Sequence, residues 1–174
     1  MKKLLMVALC TLLTACASPD VTQYEKAQPT LDLVQYFEGK TDAWGMFQKR
    51  NGEVVKRFHV EITGTRRNGQ FVLDEQFKYS DGTKQQRIWT LTQAADGTWQ
   101  GTADDVKGTA IGKVAGNALN WQYTMLLPVD GKVYEVKFDD WMFLIDENAM
   151  INRASMRKFG FELGQVTLFF KKRG

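Results

Sequence analysis

Apolar side chains recur at every second position along much of this chain, and this period indicates β-strands with one face directed at a core. The alternating positions are Phe71, Leu73, Phe77 and Tyr79; Trp89 and Leu91; Trp121, Tyr123, Met125 and Leu127; Tyr134, Val136 and Phe138; and Trp141, Phe143 and Ile145. No segment carries a long amphipathic pattern at helical spacing. Residues 31–37 alone are compatible with a short helix, and they fit a first strand equally well.

Asn-Gly and Asp-Gly pairs separate these runs. They occur at 51–52, 68–69, 81–82, 96–97 and 130–131. Such pairs favour the positive φ angles of tight hairpin turns, so neighbouring strands are expected to run antiparallel. Roughly ten strands joined in this way predict an all-β domain, an up-and-down antiparallel meander that closes into a barrel because closure removes exposed edges. A β-sandwich is the alternative, and it needs longer crossing connections than this chain provides.

The first 15 residues are typical of an export signal. Lys2 and Lys3 precede an apolar stretch over residues 4–13, which is shorter than the roughly 20 residues that a membrane-spanning helix requires. The order Leu-Thr-Ala-Cys at 13–16 resembles the lipobox of bacterial lipoproteins. The resemblance implies cleavage before Cys16 and attachment of a diacylglycerol to its thiol. The alternative is an ordinary secretory signal, cut after Ala15 or Ala17.

This interpretation divides the chain into a lipoprotein signal peptide over residues 1–15, a lipidated N-terminus and flexible tether over 16–30, and a barrel domain over 31–174. Acyl chains would hold Cys16 in a membrane, since each buried methylene contributes about 0.8 kcal/mol. Ala17 stands where an Asp would, by analogy with bacterial sorting, retain such a protein in the inner membrane. We therefore expect the protein at the inner leaflet of the outer membrane, facing the periplasm.

The net charge and the two cysteines limit which partners and which covalent links the chain can have. The net charge is +3, of which Lys2 and Lys3 contribute two, so the chain after the leader carries about +1. Nucleic-acid-binding proteins carry a concentrated basic face, which a net charge this small does not indicate. We therefore expect no nucleic acid partner. Cys10 lies in the leader and Cys16 is the predicted lipidation site, so no disulfide is expected. An aromatic content of 12% supplies apolar area for a core.

Several short motifs are spread along the chain after the leader: Tyr-Phe-Glu-Gly at 36–39, Trp-Gly at 44–45, Asp-Gly at 81–82, Arg-Ile-Trp at 87–89, Gly-Thr-Ala-Ile-Gly at 108–112, Gly-Asn-Ala-Leu-Asn-Trp at 116–121, Asp-Asp-Trp-Met at 139–142, Asn-Arg at 152–153 and Lys-Phe-Gly at 158–160. Together they resemble a family of uncharacterised proteobacterial lipoproteins, domain of unknown function 3833. The resemblance spans nearly all of the chain after the leader and implies a lipocalin-like barrel. It implies no particular activity and no catalytic residues.

The sequence offers little for catalysis. His59 is the only histidine, and it alternates with Phe58, Val60 and Ile62, which places it on the outer face of its strand. The sequence contains no nucleophile elbow, phosphate loop or zinc-ligand spacing. We therefore expect no metal and no cofactor, and we do not favour an enzyme.

Polar residues on the apolar faces are the candidates for ligand binding. Glu75 interrupts one apolar face and Arg87 precedes Trp89 on another. Because a lone buried charge costs several kcal/mol, we expect Glu75 and Arg87 to pair across the turn that joins their strands, either as a structural ion pair at the barrel rim or as a contact to a ligand. Trp89, Trp121 and Tyr123 are predicted to face inward and contact a ligand.

A second group of charged residues lies toward the C-terminus. Asp139 and Asp140 are adjacent, so at most one can point inside, and both are interpreted as solvated or as partners of Arg153 and Arg157. Arg153 is predicted to close one end of the barrel together with Asn152, or to contact a ligand.

These features predict a membrane-anchored lipoprotein whose barrel binds or carries a small apolar or amphipathic ligand such as a lipid. Aromatic side chains would bury the apolar part, and Glu75, Arg87 or Arg153 would anchor a polar head. The alternative is a structural or envelope-assembly lipoprotein with a solid barrel core and a periplasmic protein partner. A cavity of about 300 Å³ or more, the lower end for ligand sites, would distinguish the two.

Overall fold

The structure, a computed structural model, describes residues 19–174, so the predicted signal peptide and Cys16 lie outside the described residues. Within this range ten β-strands form one closed antiparallel barrel. The strands are β1 (Gly39–Lys49), β2 (Val54–Arg67), β3 (Gln70–Tyr79), β4 (Lys84–Gln93), β5 (Trp99–Thr102), β6 (Ala110–Ala115), β7 (Ala118–Val129), β8 (Lys132–Leu144), β9 (Ala149–Lys158) and β10 (Phe161–Lys172). Each strand pairs with its neighbours in the chain, and β1 pairs with β10 from Thr41 opposite Lys172 to Lys49 opposite Gly164. The predicted barrel is confirmed, and the sandwich is excluded.

All five predicted turn pairs lie in connections between consecutive strands. Asn68 and Asp130 adopt φ angles of 51° and 49°, and Gly69 and Gly131 after them also have positive φ. A two-residue turn with two positive φ angles matches the twist of the strands that it joins. The β9–β10 turn has the same backbone, with φ 51° at Phe159, although an aromatic residue stands where the other two turns have Asn or Asp.

The alternation of side chains separates the inner and outer faces of the barrel wall. In β8, Val136 and Phe138 point inward and are buried, whereas Trp141 and Phe143 lie on the outer face. Even-numbered positions of β8 face the interior because successive side chains alternate. Trp141 and Phe143 therefore belong to a different surface from Val136 and Phe138, and the buried core fills the barrel interior.

A short helix, α1 (Leu33–Phe37), closes one end of the barrel. Asp32 caps its first turn by accepting a hydrogen bond of 2.9 Å from the Gln35 backbone N–H. Phe37 is buried and packs edge-on against Phe170 of β10, with 5.8 Å between ring centroids. Of the two alternatives for residues 31–37, the structure shows the helix. Within residues 19–174, no helix has the length and apolar character needed to cross a membrane.

Residues 19–30 pack against the outside of the barrel, which corrects the prediction of a flexible tether for this part of the segment. A 3-10 helix (Val21–Tyr24) follows its cap, Asp20. The Tyr24 ring contacts Trp141 and Phe143 at centroid distances of 6.0 and 5.1 Å. Gly116 permits this approach, since a Cβ there would lie 1.8 Å from the Tyr24 carbonyl oxygen. The outward aromatic pair of β8 gives the segment an apolar surface on which to pack.

Candidate functional site

The barrel encloses a cavity of about 170 Å³ whose wall is mostly aromatic and aliphatic. Leu33 and Phe37 of α1 form its floor. At the opposite end, the mouth, no helix of the described chain covers the barrel, and Phe47, Tyr79 and Leu127 are only partly buried. The mouth is therefore the less covered end of the cavity.

The volume of this cavity does not reach the value set above for a ligand-binding barrel. It is below the roughly 300 Å³ at which small-molecule sites usually begin. It is nevertheless comparable to an apolar cavity of about 150 Å³ that binds benzene in another protein. A solid core would contain few voids larger than a water molecule. The barrel is hollow, with room for a benzene-sized group or a short alkyl chain.

Arg87 lies at the centre of a charged cluster in the cavity wall. It is the register partner of Glu75 across β3 and β4, and its Nη1 lies 3.6 Å from Glu75 Oε2. The predicted pairing of these two residues is therefore confirmed. A second carboxylate, Asp105, accepts hydrogen bonds from Arg87 Nε at 2.9 Å and from Nη2 at 2.8 Å. Only 11% of the Arg87 side chain is exposed, so water and salt screen these contacts weakly.

Asp105 was not among the predicted site residues, because it comes from the loop between β5 and β6 rather than from a strand. Backbone hydrogen bonds of 2.8 Å hold this loop against β7, from the Leu126 N–H to the Asp105 carbonyl and from the Lys107 N–H to the Thr124 carbonyl. A buried arginine with five N–H donors needs more than one glutamate to satisfy it. That requirement was the one sequence signal for a further acidic partner, and it does not specify which residue.

Trp89, Trp121 and Tyr123 face the cavity, which confirms the predicted orientation of all three rings. Trp89 packs edge to face against Trp121 at 5.6 Å and against Tyr123 at 5.4 Å between centroids. Glycines of the adjoining strands provide the space for these rings. A Cβ at Gly112 would lie 2.1 Å from the Trp121 ring, and one at Gly101 would lie 2.6 Å from it.

Asp140 is buried in the cavity wall, with 7% of its surface exposed. This corrects the interpretation of both aspartates as solvated, because in β8 Asp140 faces inward. Asp139 faces outward and accepts a hydrogen bond of 2.7 Å from Asn120 Nδ2. The Oδ2 atom of Asp140 accepts a long hydrogen bond, 3.3 Å, from the Tyr123 hydroxyl. Its Oδ1 atom is buried and has no hydrogen-bond partner within residues 19–174.

Burial changes the acid–base behaviour of these groups. Loss of hydration raises the pKa of Glu75 to about 7, although the charge of Arg87 opposes the change. Burial likewise raises the pKa of Asp140 to about 7 against the hydrogen bond from Tyr123. Burial and the neighbouring Asp140 raise the pKa of Tyr123 well above its usual value, so its hydroxyl remains a donor. The cavity therefore contains two carboxyl groups that titrate near neutral pH.

Arg153 does not face the cavity, so the predictions that it closes the barrel or contacts a ligand there are wrong. Its side chain is exposed on the outer face, where Nε and Nη2 donate to Gln165 Oε1 at 3.0 and 2.7 Å. The neighbouring Asn152 is the inward residue of this pair, and its Nδ2 donates to the Trp141 carbonyl at 3.3 Å. Alternation along β9 places the two side chains on opposite faces, and α1 closes the barrel end instead.

His59 lies on the outer face, as predicted, across the wall from the cavity. Its Nε2 is 2.8 Å from Asp42 Oδ1, and its ring centroid is 5.3 Å from that of Trp44. In the part of the chain that the structure describes, no group of three or more His, Cys, Asp or Glu side chains is arranged to hold a metal ion.

Solved structures with a similar fold include the S-type phycobiliprotein lyase from Guillardia theta, with a TM-score of 0.60 at 4% identity, covering 90% of this chain and 99% of that one. A protein of unknown function from the DUF3598 family of Nostoc punctiforme gives a TM-score of 0.59 at 10% identity. That similarity covers 84% of this chain and 51% of the other, so this chain spans about half the length of that protein. Identities this low show the fold alone, a lipocalin-like barrel.

A family model described as a protein of unknown function (DUF3833) matches residues 10–172, nearly the whole chain. No curated protein matches the sequence.

Proposed function

The chain belongs to DUF3833, a family of unknown function, and we propose that its barrel binds a small apolar or amphipathic ligand. The family resemblance of the sequence motifs is thereby confirmed, but the family supplies no activity. The observation that carries the proposal is the cavity of about 170 Å³, lined by Trp89, Trp121 and Tyr123, with polar groups at few points of its wall. Apolar walls with a few oriented polar groups are typical of small-molecule sites.

The empty volume of the cavity lowers the packing energy of the barrel. In core mutants of another protein, residual cavities cost about 24 cal/mol per Å³. On that scale about 170 Å³ corresponds to about 4 kcal/mol of packing that an occupant could recover. A chain retaining such a void in an otherwise well-packed interior is consistent with selection for a ligand.

A ligand larger than the cavity would extend through the mouth. Arg87, Glu75 and Asp105 lie in the wall between the tryptophans and that end, where β4 begins and the β5–β6 loop crosses. The polar group of an amphipathic ligand would therefore meet charged side chains, at Arg87 toward the mouth or at Asp140 opposite Trp121. A lipid or another molecule with an alkyl chain satisfies this requirement.

We propose further that the barrel is attached to a membrane through an acylated Cys16, at the inner leaflet of the bacterial outer membrane and facing the periplasm. The support is the order of residues 13–16 and the leader before it. Mass spectrometry of the N-terminal peptide would test this, with Cys16→Ser as the control. An unmodified cysteine in the membrane-extracted protein would contradict it.

Native mass spectrometry of the protein purified from the cells that make it tests ligand binding. We expect a noncovalent adduct of small-molecule mass. Ala154 lines the cavity, and Ala154→Phe should fill it and remove the adduct. The matched control is Ser155→Phe, which adds the same ring one residue later, on the outer face of β9. Melting temperatures of both variants would show that each remains folded.

Two outcomes would count against a ligand-binding barrel. One is a protein without an adduct that also fails to bind added octanol. The other is an adduct retained by Ala154→Phe but lost from Ser155→Phe, which would place the molecule on the outer surface.

A role in binding a periplasmic protein is the second candidate function. The observation that favours it is the β9–β10 hairpin tip, where Phe159 and Phe161 are 88% and 71% exposed. Photo-crosslinking residues introduced at position 161 and, as the control, at Gln76 on the outer wall would test this role in cells. A defined adduct specific to position 161 supports it, and the same products from both positions would argue against it.

A further inference from the structure

The charges around the cavity are predominantly negative. Among the described residues that line it, Arg87 is the one basic side chain, whereas Glu75 and Asp140 are acidic. Asp105 adds a third carboxyl group in contact with Arg87. An anionic group entering this space would meet more negative than positive charge. Repulsion of this kind inside a poorly hydrated cavity is strong.

Two of the three nitrogens of Arg87 already donate hydrogen bonds, and the third faces a carboxylate. Asp105 occupies Nε and Nη2, and Glu75 lies 3.6 Å from Nη1. The Nη2 atom also lies 3.6 Å from the Met125 sulfur. A carboxylate or phosphate would reach Arg87 either beside Glu75 at Nη1, where the two anions repel each other, or by displacing Asp105. A two-point arginine–carboxylate pair is among the stronger polar contacts in proteins, so that exchange is unfavourable.

Asp140 presents the opposite situation. Its Oδ1 atom is buried and lacks a partner within the described chain, and its Oδ2 atom has only the long contact with Tyr123. Nearby amide donors are engaged elsewhere: Asn152 Nδ2 donates to the Trp141 carbonyl, and Gln85 Nε2 donates to Asp105 at 3.3 Å. A buried acceptor left without a donor costs about 1–3 kcal/mol. The protein supplies the acceptor and leaves the donor to come from elsewhere.

We infer that the polar end of the ligand is a hydrogen-bond donor, an ammonium or hydroxyl group that binds the carboxylate of Asp140, and that it is not a carboxylate or a phosphate. This inference rests on the proposed ligand-binding function and specifies its chemistry. It also changes the role of Arg87, which the sequence suggested as the anchor of a polar head. Arg87 organises Glu75 and Asp105, and Asp140 binds the ligand.

Three amphiphiles with the same eight-carbon chain test the inference: octylamine, octanol and octanoate. Binding is measured by calorimetry at pH 8, where Asp140 is mostly ionised because burial sets its pKa at about 7. We expect octylamine and octanol to bind at least tenfold more tightly than octanoate. A preference for the amine over the alcohol would indicate an ammonium ligand, a preference for the alcohol would indicate a hydroxyl ligand, and equal affinities would show that the site accepts either donor.

Substitutions assign the effect to Asp140. Asp140→Asn should weaken octylamine binding at least tenfold without weakening octanoate binding, and Asp139→Asn on the outer face should change neither. Asp140→Ser also removes the carboxylate and should weaken octylamine binding at least tenfold. That variant provides a second test if Asp140→Asn does not fold.

The outcomes separate the inference from the function on which it rests. Octanoate binding as tight as that of octylamine would overturn the inference and leave the ligand-binding barrel intact. Octylamine binding that is unaffected by Asp140→Asn would do the same. If none of the three amphiphiles binds, the proposed function fails and the inference fails with it.

Discussion

Gly112 and Trp121 are register partners across β6 and β7, and the indole occupies the space that a side chain at position 112 would fill. A Cβ on residue 112 would lie 2.1 Å from Trp121 Cε3, far inside contact distance. The indole therefore rests directly on the backbone of the neighbouring strand. The absence of a side chain at this glycine determines how much of the barrel interior remains open.

Substituting this glycine should close the cavity. We expect Gly112→Ala to push the Trp121 ring inward and to lower the free energy of unfolding by about 1–3 kcal/mol, the usual cost of overpacking. Urea denaturation and octanol binding measure the two effects. Lys113→Ala is the control, because Lys113 is exposed on the outer face and should change stability by less than about 0.5 kcal/mol. Unchanged octanol affinity in Gly112→Ala would contradict this account of the wall.

Removing the arginine of the charged cluster should be costly. Arg87→Met leaves Glu75 and Asp105 without their shared cation, and breaking a buried ion pair from one side typically costs about 3–5 kcal/mol. Arg153→Met is the matched control, since Arg153 is exposed and contacts Gln165 on the outer face. We expect that control to lie within about 0.5 kcal/mol of the parent. Similar losses for both variants in chemical denaturation would mean that the cluster does not stabilise the fold.

The buried carboxyl groups predict that stability decreases with rising pH. Glu75 and Asp140 have pKa values raised to about 7 in the folded protein, above their values in the unfolded chain. The folded state therefore binds more protons between pH 5 and 8, and the free energy of unfolding falls as pH rises through this range. Since one pKa unit corresponds to about 1.4 kcal/mol, each group lowers the free energy of unfolding by on the order of 2–3 kcal/mol between pH 5 and pH 8.

Urea denaturation at intervals from pH 5 to 8 checks this sign. We expect Asp140→Asn to flatten the slope and Asp139→Asn to keep it. A parent protein that becomes more stable toward pH 8 would show that the buried carboxyl groups do not dominate the dependence.

A substitution of Phe159 in the β9–β10 turn should stabilise the protein. This residue has a φ of 51° and is 88% exposed, so it occupies a left-handed conformation without the burial that would compensate. Such a conformation costs non-glycine residues about 1–2 kcal/mol, and asparagine tolerates it best. We expect Phe159→Asn to raise the free energy of unfolding by about 0.5–1 kcal/mol. Asn68→Phe, at the equivalent position of the β2–β3 turn, should have the opposite effect.

Much of the barrel could be predicted from the alternation of apolar residues and from the turn pairs in the sequence. Alternation predicts Trp89, Trp121 and Tyr123 on the inner face, because successive side chains of a strand point to opposite faces of the sheet. The Glu75–Arg87 pair could be predicted since both residues interrupt apolar faces of strands joined by a single tight turn. Adjacent strands of a hairpin have a register that the turn itself fixes.

The rest depended on contacts between distant segments. The Asp139–Asp140 pair lies between two apolar alternations of opposite phase, over residues 134–138 and 141–145, so the local pattern directs either carboxyl group inward. The sequence around Arg153 has no apolar alternation that would place its side chain. Asp105 reaches Arg87 through a loop whose path is set by β7. Residues 19–30 have no periodicity that predicts their structure. They pack on Trp141 and Phe143, whose alternation in the sequence predicts an inward orientation but which lie on the outer face.

The pairing of β1 with β10 has a consequence for how the protein folds. Thr41 and Lys172 lie opposite each other but about 130 residues apart in the chain, so the barrel cannot close until almost the whole chain is available. Until β10 reaches β1, a partly formed sheet has two free edges, whose unpaired N–H and C=O groups can pair with another chain. A chain that lacks β10 would keep both of these edges exposed.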